Sequence, residues 1–470
     1  MPGTGRSPIF HDRLLITPIM MSLLCCSSDA FRLRKFVLLA MVLSGVENLG
    51  RAAPAAGLER FYIGTYAGAI YQSSLNLDSG ALGAISNAAT TGDPSWVAVT
   101  PNRQFLYAVN EGAGTVVAFS VNSATGVLTF LNQQSSNGNG PAHVVVDGAG
   151  RNIIVANYGG GSVTVFPIQT NGQLGVATAH IQHPGASPHA HCTTLDASNH
   201  FAFVCDLGLD QVRSYIFDSS TGKLTTNTTL ITSVPAHSGP RHLTFAPQYK
   251  RAYLICETSS TIIGFNYDPT NGVLNAFQTI STLLPDGFTN VNSTAEIAVH
   301  PSGKFVYGSN RGKNTIAVFN VNATDGTLTP IQQQPTGATP RNFAIDPTGA
   351  YCIVAGQASN DVRLYSIDQQ SGQLSDTGRR LSVSSPVCIL PLILEPPQPL
   401  IAARSNGTNT LELDISNSLD FLTYQLYQAP ALPPGSSWTL LATGARGQTN
   451  FLVTNSLLQE FFRVGVSTNY

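Results

Sequence analysis

The chain has 470 residues, only 11% of them charged, with 43 glycines, 28 prolines and a formal net charge of -2. That composition suits an all-β chain with many tight turns. The near-neutral balance, without a Lys/Arg-rich run after the N-terminal region, weighs against nucleic acid or an anionic membrane as partner. Seven cysteines are too few and too scattered for a disulfide framework at this length.

At the N-terminus, Arg32, Arg34 and Lys35 precede an apolar stretch from Phe36 to Val46, followed by Ala52, Ala53, Ala55 and Ala56. A basic region, a short apolar region and a small-residue exit describe a secretory signal, and the run is too short for a membrane span. Residues 1–56 are therefore expected to be a signal-peptide region, with Met20 or Met21 as the start, and the mature chain to be secreted or periplasmic.

From residue 58 onward a repeat dominates. A Gly-x-Leu tag recurs seven times, at Gly80, Gly126, Gly172, Gly222, Gly272, Gly326 and Gly372. Fifteen or sixteen residues before each tag an apolar run ends, at Gly64, Asn110, Asn157, Asp206, Cys256, Asn310 and Gly356. Six residues after each end stands a β-branched residue, from Ile70 to Val362. Each unit reads as four short strands with period-two alternation, such as SWVAVTP, FLYAVN, TVVAFSV and LTFLNQ. Four strands per 46–54 residues is the size of a propeller blade. The first unit lacks an innermost strand, and SPVCILPLI (Ser385 to Ile393) follows the last tag. Pairing the two ends would close seven blades over residues 58–395 and remove exposed sheet edges. Cys205, Cys256 and Cys352 fall in apolar runs and read as buried small hydrophobes.

After Glu395 the composition changes. EPPQP reads as a stiff linker, assigned to 396–399. Residues 400–470 offer TLELDIS, YQLYQ, WTLLAT and FFRVGV, a pattern expected of a small fibronectin- or immunoglobulin-like β-sandwich. Such a module would serve contact with a surface or another protein. The fold class is thus all-β, a closed seven-bladed propeller with an appended sandwich.

In antiparallel blades the start of the innermost strand and the end of the second lie on one face. Three columns of residues share that level. The first holds Ser95, Ala142, His191, Arg241, Ala295 and Arg341; the second Trp96, His143, Cys192, His242, Glu296 and Asn342. The third holds Thr65, Glu111, Tyr158, Leu207, Glu257, Arg311 and Gln357. These side chains differ from blade to blade while the scaffold positions repeat, which points to a site built by the whole ring. Asn110 and Asn157, by contrast, suit strand-end turns.

The segments IGTY, GPAHVVVD, VANYGGGSV, PHAHC, GPRHLTF, CETSST, TAEIAVHPSGKFVYGSNRG and PRNFAIDP resemble the propeller lactonase family, over roughly Phe61 to Leu394. That family includes propeller 6-phosphogluconolactonases and carboxy-cis,cis-muconate cyclases. Resemblance to the cyclase branch implies His191, Arg241, Glu257 and Arg311 as catalytic residues, and His143, Glu296 and Arg341 of the same columns are further candidates for substrate binding. Glu257 or His191 would serve as base, and the two arginines would fix a carboxylate and stabilise the oxyanion. No cofactor is implied, and the His189/His191 pair lacks carboxylates in its segment that would argue for a metal. Departures stand at Asn342, where relatives carry His, at Gly356 and in DGAG. A small-molecule lactone or organic acid is the expected partner. A leader sequence fits a sugar or aromatic-acid lactone better than a cytosolic phosphosugar. Two further readings stay open: a non-enzymatic secreted propeller that binds a ligand or partner, and a lactone-forming cyclase.

Overall fold

The computed structural model describes residues 58–393 except 248, 249 and 286, together with strands between 400 and 467. The leader-like segment and the linker lie outside the described residues. Among the described residues there is no helix long and apolar enough to cross a membrane.

Residues 58–394 form one compact unit. It contains seven four-stranded antiparallel sheets, each in simple neighbour order. We number the blades along the chain. Blades 2 to 7 begin with inner strands Pro94–Val99, Pro141–Val146, Ala190–Leu195, Pro240–Phe245, Thr294–Val299 and Pro340–Ile345. Blade 1 is shared: its inner strand Pro386–Ile393 pairs with Leu58–Thr65, so the two ends of the propeller close the ring as the sequence predicts.

The repeat now has a physical cause. All seven tag glycines have positive φ, from 67° at Gly80 to 83° at Gly172, in the turn between the third and fourth strands. A Cβ at Gly172 would stand 2.1 Å from the Phe105 ring of the preceding blade, so both backbone and space demand glycine. The tag carbonyl is also a latch. Tyr62, Tyr107, Tyr253 and Tyr307 each donate a phenol hydrogen bond to the tag glycine of the next blade, at 2.7–2.9 Å. These phenols are buried, so the bonded carbonyl replaces the water each would otherwise lose. The β-branched residue six past each run end is fully buried between neighbouring blades. Five cysteines, at 192, 205, 256, 352 and 388, are buried and free, consistent with their apolar context.

The closing blade carries one discord. Glu59 is 0% exposed, lies in register between Leu75 and Ile393, and neither carboxyl oxygen has a partner. Burial, reinforced by the nearby Asp346 carboxyl, pushes its pKa well above the usual carboxylate range. A raised folded pKa means that the fold is favoured below the unfolded value and loses that advantage as pH rises to the folded value. Glu59→Leu is therefore expected to stabilise the propeller at neutral pH by about 1–3 kcal/mol. Urea unfolding of both proteins at several pH values checks this: the gap should shrink as pH falls towards about 4. A pH-independent gap would reject the account.

The C-terminal unit is described by its backbone alone. Leu400–Ser405, Thr410–Ser416 and Asn450–Thr454 form one three-stranded antiparallel sheet. Thr439–Thr443, Thr423–Ala429 and Phe461–Ser467 form another.

Candidate active site

The inner strands share an irregularity that builds the site. In blade 2 Pro94 pairs with Asn110 and Trp96 with Val109, leaving Ser95 without a partner. The same single-residue bulge falls on Ala142, His191, Arg241 and Arg341. In blade 6 it takes in both Ala295 and Glu296, and in blade 1 it falls on Val387. A bulge re-aims its extra side chain off the ladder. Here it turns one residue in six of the seven blades, namely Ser95, Ala142, His191, Arg241, Arg341 and Val387, towards a common mouth. The first column of the sequence is thus the bulge column. Proline, which lacks the donor a ladder needs, precedes it in five of the seven blades: at 94, 141, 240, 340 and 386.

Of the four catalytic candidates, the structure brings three into direct contact. Arg241 donates from Nε to Glu257 Oε2 at 2.9 Å, and Arg311 Nη2 reaches Glu257 Oε1 at 2.9 Å. Glu257 stands just past the second strand of blade 5, Arg311 at the same point of blade 6. Arg241 also donates from Nη1 to the Ala295 carbonyl, and Arg311 to that of Thr294 at 2.9 Å. One carboxylate therefore clamps two guanidiniums, each anchored to backbone. Burial works to raise the Glu257 pKa, but Arg241 and Arg311 outweigh it and hold the carboxyl below its ordinary range. Burial first, then Arg341 and Arg311, lowers Arg241 to about 10, so it stays charged at neutral pH.

His191 lines the mouth on blade 4, with its ring 5.1 Å from that of His242. It has no hydrogen-bond partner at Nδ1. Burial, then the charges of Arg241 and its neighbours, keeps its pKa well below the ordinary imidazole value. The ring is neutral and offers a lone pair. Tyr158 approaches it edge-on at 5.5 Å and stacks on His189 at 4.6 Å. His189 itself is engaged, with Nδ1 at the Tyr158 carbonyl and Nε2 at Ser187.

The three binding candidates separate. Arg341 lies at the mouth, 2.9 Å from the Tyr66 hydroxyl and 5.2 Å from its ring centre, and Tyr66 donates in turn to Glu111 at 2.8 Å. Burial pushes the Tyr66 pKa up to about 12, which keeps the phenol a donor. His143 lies against Trp96, with ring centres 4.2 Å apart and Nδ1 unpartnered. Glu296 stands behind His242, its carboxylate held by His242, Asn342 and the Ile297 amide. Asn157, read as a strand-end residue, bonds Ser136 and Ser162 and is structural.

Sequence reasoning did not single out Tyr66, Trp96 or His242 as site residues. Trp96 and His242 sat in the second column unremarked. Tyr66 falls one position beyond the third column because the last ladder position of the blade 1 run is Thr65, which pairs with Pro386 as Asn110 pairs with Pro94, so that Tyr66 is the counterpart of Glu111. Among the described residues no group of three His, Cys, Asp or Glu side chains is arranged to hold a metal.

The family model described as "Lactonase, 7-bladed beta-propeller" matches residues 60–391. The 6-phosphogluconolactonase of Bacillus subtilis is 34% identical, covering 70% of this chain and 97% of that protein. Among solved structures, a Lactobacillus plantarum protein is 34% identical with a TM-score of 0.66, covering 71% of this chain and 99% of its own. The periplasmic gluconolactonase of Pseudomonas aeruginosa is 27% identical with a TM-score of 0.68, covering 72% and 99%.

Proposed function

The chain belongs to the seven-bladed β-propeller lactonase family, and from that premise we propose that it hydrolyses a sugar or carboxylic-acid lactone at the funnel mouth. One observation carries the reading: His191, a buried neutral histidine, lines the mouth beside Arg241, which shares the Glu257 carboxylate with Arg311. His191 is the base in preference to Glu257, whose two oxygens are each held by a guanidinium and whose pKa is lowered.

The chemistry follows. His191 takes a proton from water as its oxygen attacks the lactone carbonyl carbon. The carbonyl oxygen gains negative charge, which Arg241 and Arg311 stabilise from positions fixed by Glu257 and the backbone. The tetrahedral species then breaks its bond to the ring oxygen. That oxygen leaves with the proton held on His191, giving a hydroxy acid. Glu257 keeps the two guanidiniums fixed and prevents their mutual repulsion from splaying the site. Arg341, Tyr66 and Glu111 offer both donors and acceptors to the hydroxyls of a sugar, and His143 lies against the Trp96 wall.

The leader-like segment, together with a periplasmic gluconolactonase among the structural relatives, supports action outside the cytoplasm on an unphosphorylated substrate. Residues 400–470 fit a small sandwich that makes a surface or protein contact. The test is a pH-stat assay of glucono-1,5-lactone, its 6-phosphate and an aromatic-acid lactone, with buffer hydrolysis subtracted. Acid release above buffer is expected, fastest for the unphosphorylated sugar lactone. No turnover on any member would reject the hydrolase reading, and a faster phosphorylated substrate would reject the substrate assignment.

A further inference from the structure

Behind the mouth runs a chain of buried hydrogen bonds across four blades. Arg241 Nη1 lies 3.2 Å from His242 Nε2, and His242 Nδ1 lies 3.0 Å from Glu296 Oε1. Glu296 Oε2 meets Asn342 Nδ2, and Asn342 Oδ1 accepts from the Ile389 amide at 2.7 Å. His242, Glu296 and Asn342 are all buried. Ile389 belongs to the strand that closes the ring, so the chain ties the closure to an arginine at the mouth.

The proton positions are fixed by the two ends. A guanidinium can only donate, so His242 Nε2 must accept and the imidazole proton sits on Nδ1, aimed at Glu296. The Ile389 amide can only donate, so Asn342 must present its NH2 to Glu296. The Ile297 amide donates to Oε1 as well, at 3.0 Å. Glu296 thus faces three donors and no acceptor, an arrangement complete only when it is a carboxylate. The other polar or charged groups around the pair are Ser309, which accepts the Glu296 amide, the Arg241 guanidinium, the His143 and His191 rings, the Glu257 carboxyl, and the Cys192 and Cys388 thiols.

We propose that Glu296 is a positioning residue: through His242 it holds Arg241 in place, and uptake of one proton by the Glu296–His242 pair releases that hold. A protonated Glu296 needs an acceptor, and only His242 Nδ1 can become one. The imidazole proton must then move to Nε2, where it meets the Arg241 donor face to face. The net change is one proton taken from solvent and one lost hydrogen bond at Arg241, with no heavy-atom bond altered. Burial raises the Glu296 pKa to about 7 against the lowering effects of Arg241 and the Ile297 amide, which places the event near neutrality. The direction is set: the hold is intact above that pH and is lost as pH falls through it. This inference rests on the lactonase reading for its catalytic consequence, though not for the proton switch itself.

Two measurements test it. The first is a titration of the full chain labelled with 15N-histidine, with His242→Asn used to assign the resonance. His242 is expected as the Nδ1–H tautomer at about pH 8.5 and as the Nε2–H tautomer at about pH 5.5. In Glu296→Gln that exchange should be absent. An Nε2–H tautomer or an imidazolium at the higher pH, or no change across the range, would overturn the proposal, and the wild-type titration needs no variant to fold. The second is the pH profile of glucono-1,5-lactone hydrolysis. Glu296→Gln should lower kcat by roughly tenfold with little change in KM, and should remove the activity step near pH 7. A merely structural role would lower stability and leave the step in place. If the wild-type chain turns over no lactone, the functional reading fails, while the tautomer titration still decides the relay.

Discussion

Replacing Arg241 by alanine should lower kcat/KM for lactone hydrolysis by about 10²–10³-fold, the usual loss when one oxyanion donor is removed. The expectation is large because Arg241 is a hub. It is 3% exposed and its guanidinium meets Glu257, the Ala295 carbonyl and His242 at once. Alanine would leave Glu257 with Arg311 alone and His242 Nε2 without a donor. Some stability should go with it, about 1–3 kcal/mol for the unpaired buried groups. Arg241→Lys separates the two effects. Lysine keeps a charge near Glu257 but cannot also reach Ala295 and His242 in the planar fork. Arg241→Lys should therefore retain most of the binding, read as KM, and still show a deep loss in kcat. Steady-state kinetics with thermal melts of both variants make the check. Equal activity of the lysine variant and the wild type would show that charge alone suffices and would reject the fixed-fork account.

Base removal belongs to the same argument. His191→Asn should cost a factor of about 10²–10⁴. Because burial and Arg241 hold the His191 pKa well below the ordinary imidazole value, its own acid limb should lie below neutrality. Activity that depends on His191 is then present throughout the neutral range and falls only as pH drops into the acid range. Two steps on the acid side, one near pH 7 from Glu296 and one lower from His191, would match the geometry.

The sequence exposes the ring more fully than the site, for a physical reason. Propeller blades bury the same surfaces seven times over, so Tyr107 and Tyr307 or Gly172 and Gly372 recur at fixed offsets and announce themselves. The mouth is built from positions that differ in every blade, and counting from the run ends finds their level but not their direction. Ser95 and Trp96 are neighbours in sequence; one is bulged out of the ladder and the next rejoins it, yet both line the mouth. The same step separates His191 from Cys192 and Arg241 from His242. Glu296 stays within the wider bulge of blade 6, and it still meets His242 and Asn342 of the same column inside the ring. The prolines at 94, 141, 240, 340 and 386 were the available signal for the bulge, since each starts a strand where a ladder donor is not required. Tyr66 escaped the count because the apolar run of blade 1 stops at Gly64, one residue short of its last ladder position, Thr65.

That shared blade yields the second large effect. A chain ending at residue 395 keeps Pro386–Ile393, the strand that pairs with Leu58–Thr65 and supplies Val387 to the mouth. It also keeps the Ile389 amide that orients Asn342. A chain ending at residue 384 loses all of these. Six blades remain intact, but the inner edge of Leu58–Thr65 is stripped of its partner, and Tyr62, Cys388 and Leu392 no longer pack together in one cluster. An unpaired inner edge beside exposed apolar side chains favours association between chains over a closed monomer. Size-exclusion chromatography and lactone assays of the two truncations should therefore diverge sharply. The longer one should stay monodisperse, with kcat/KM within about twofold of the full chain, since residues 58–394 form a unit of their own. The shorter one should aggregate or show no measurable turnover. Full activity after loss of residues 385–395 would mean that the ring closes without its last strand, and the geometry that brings Arg341 to Tyr66 would then need another explanation.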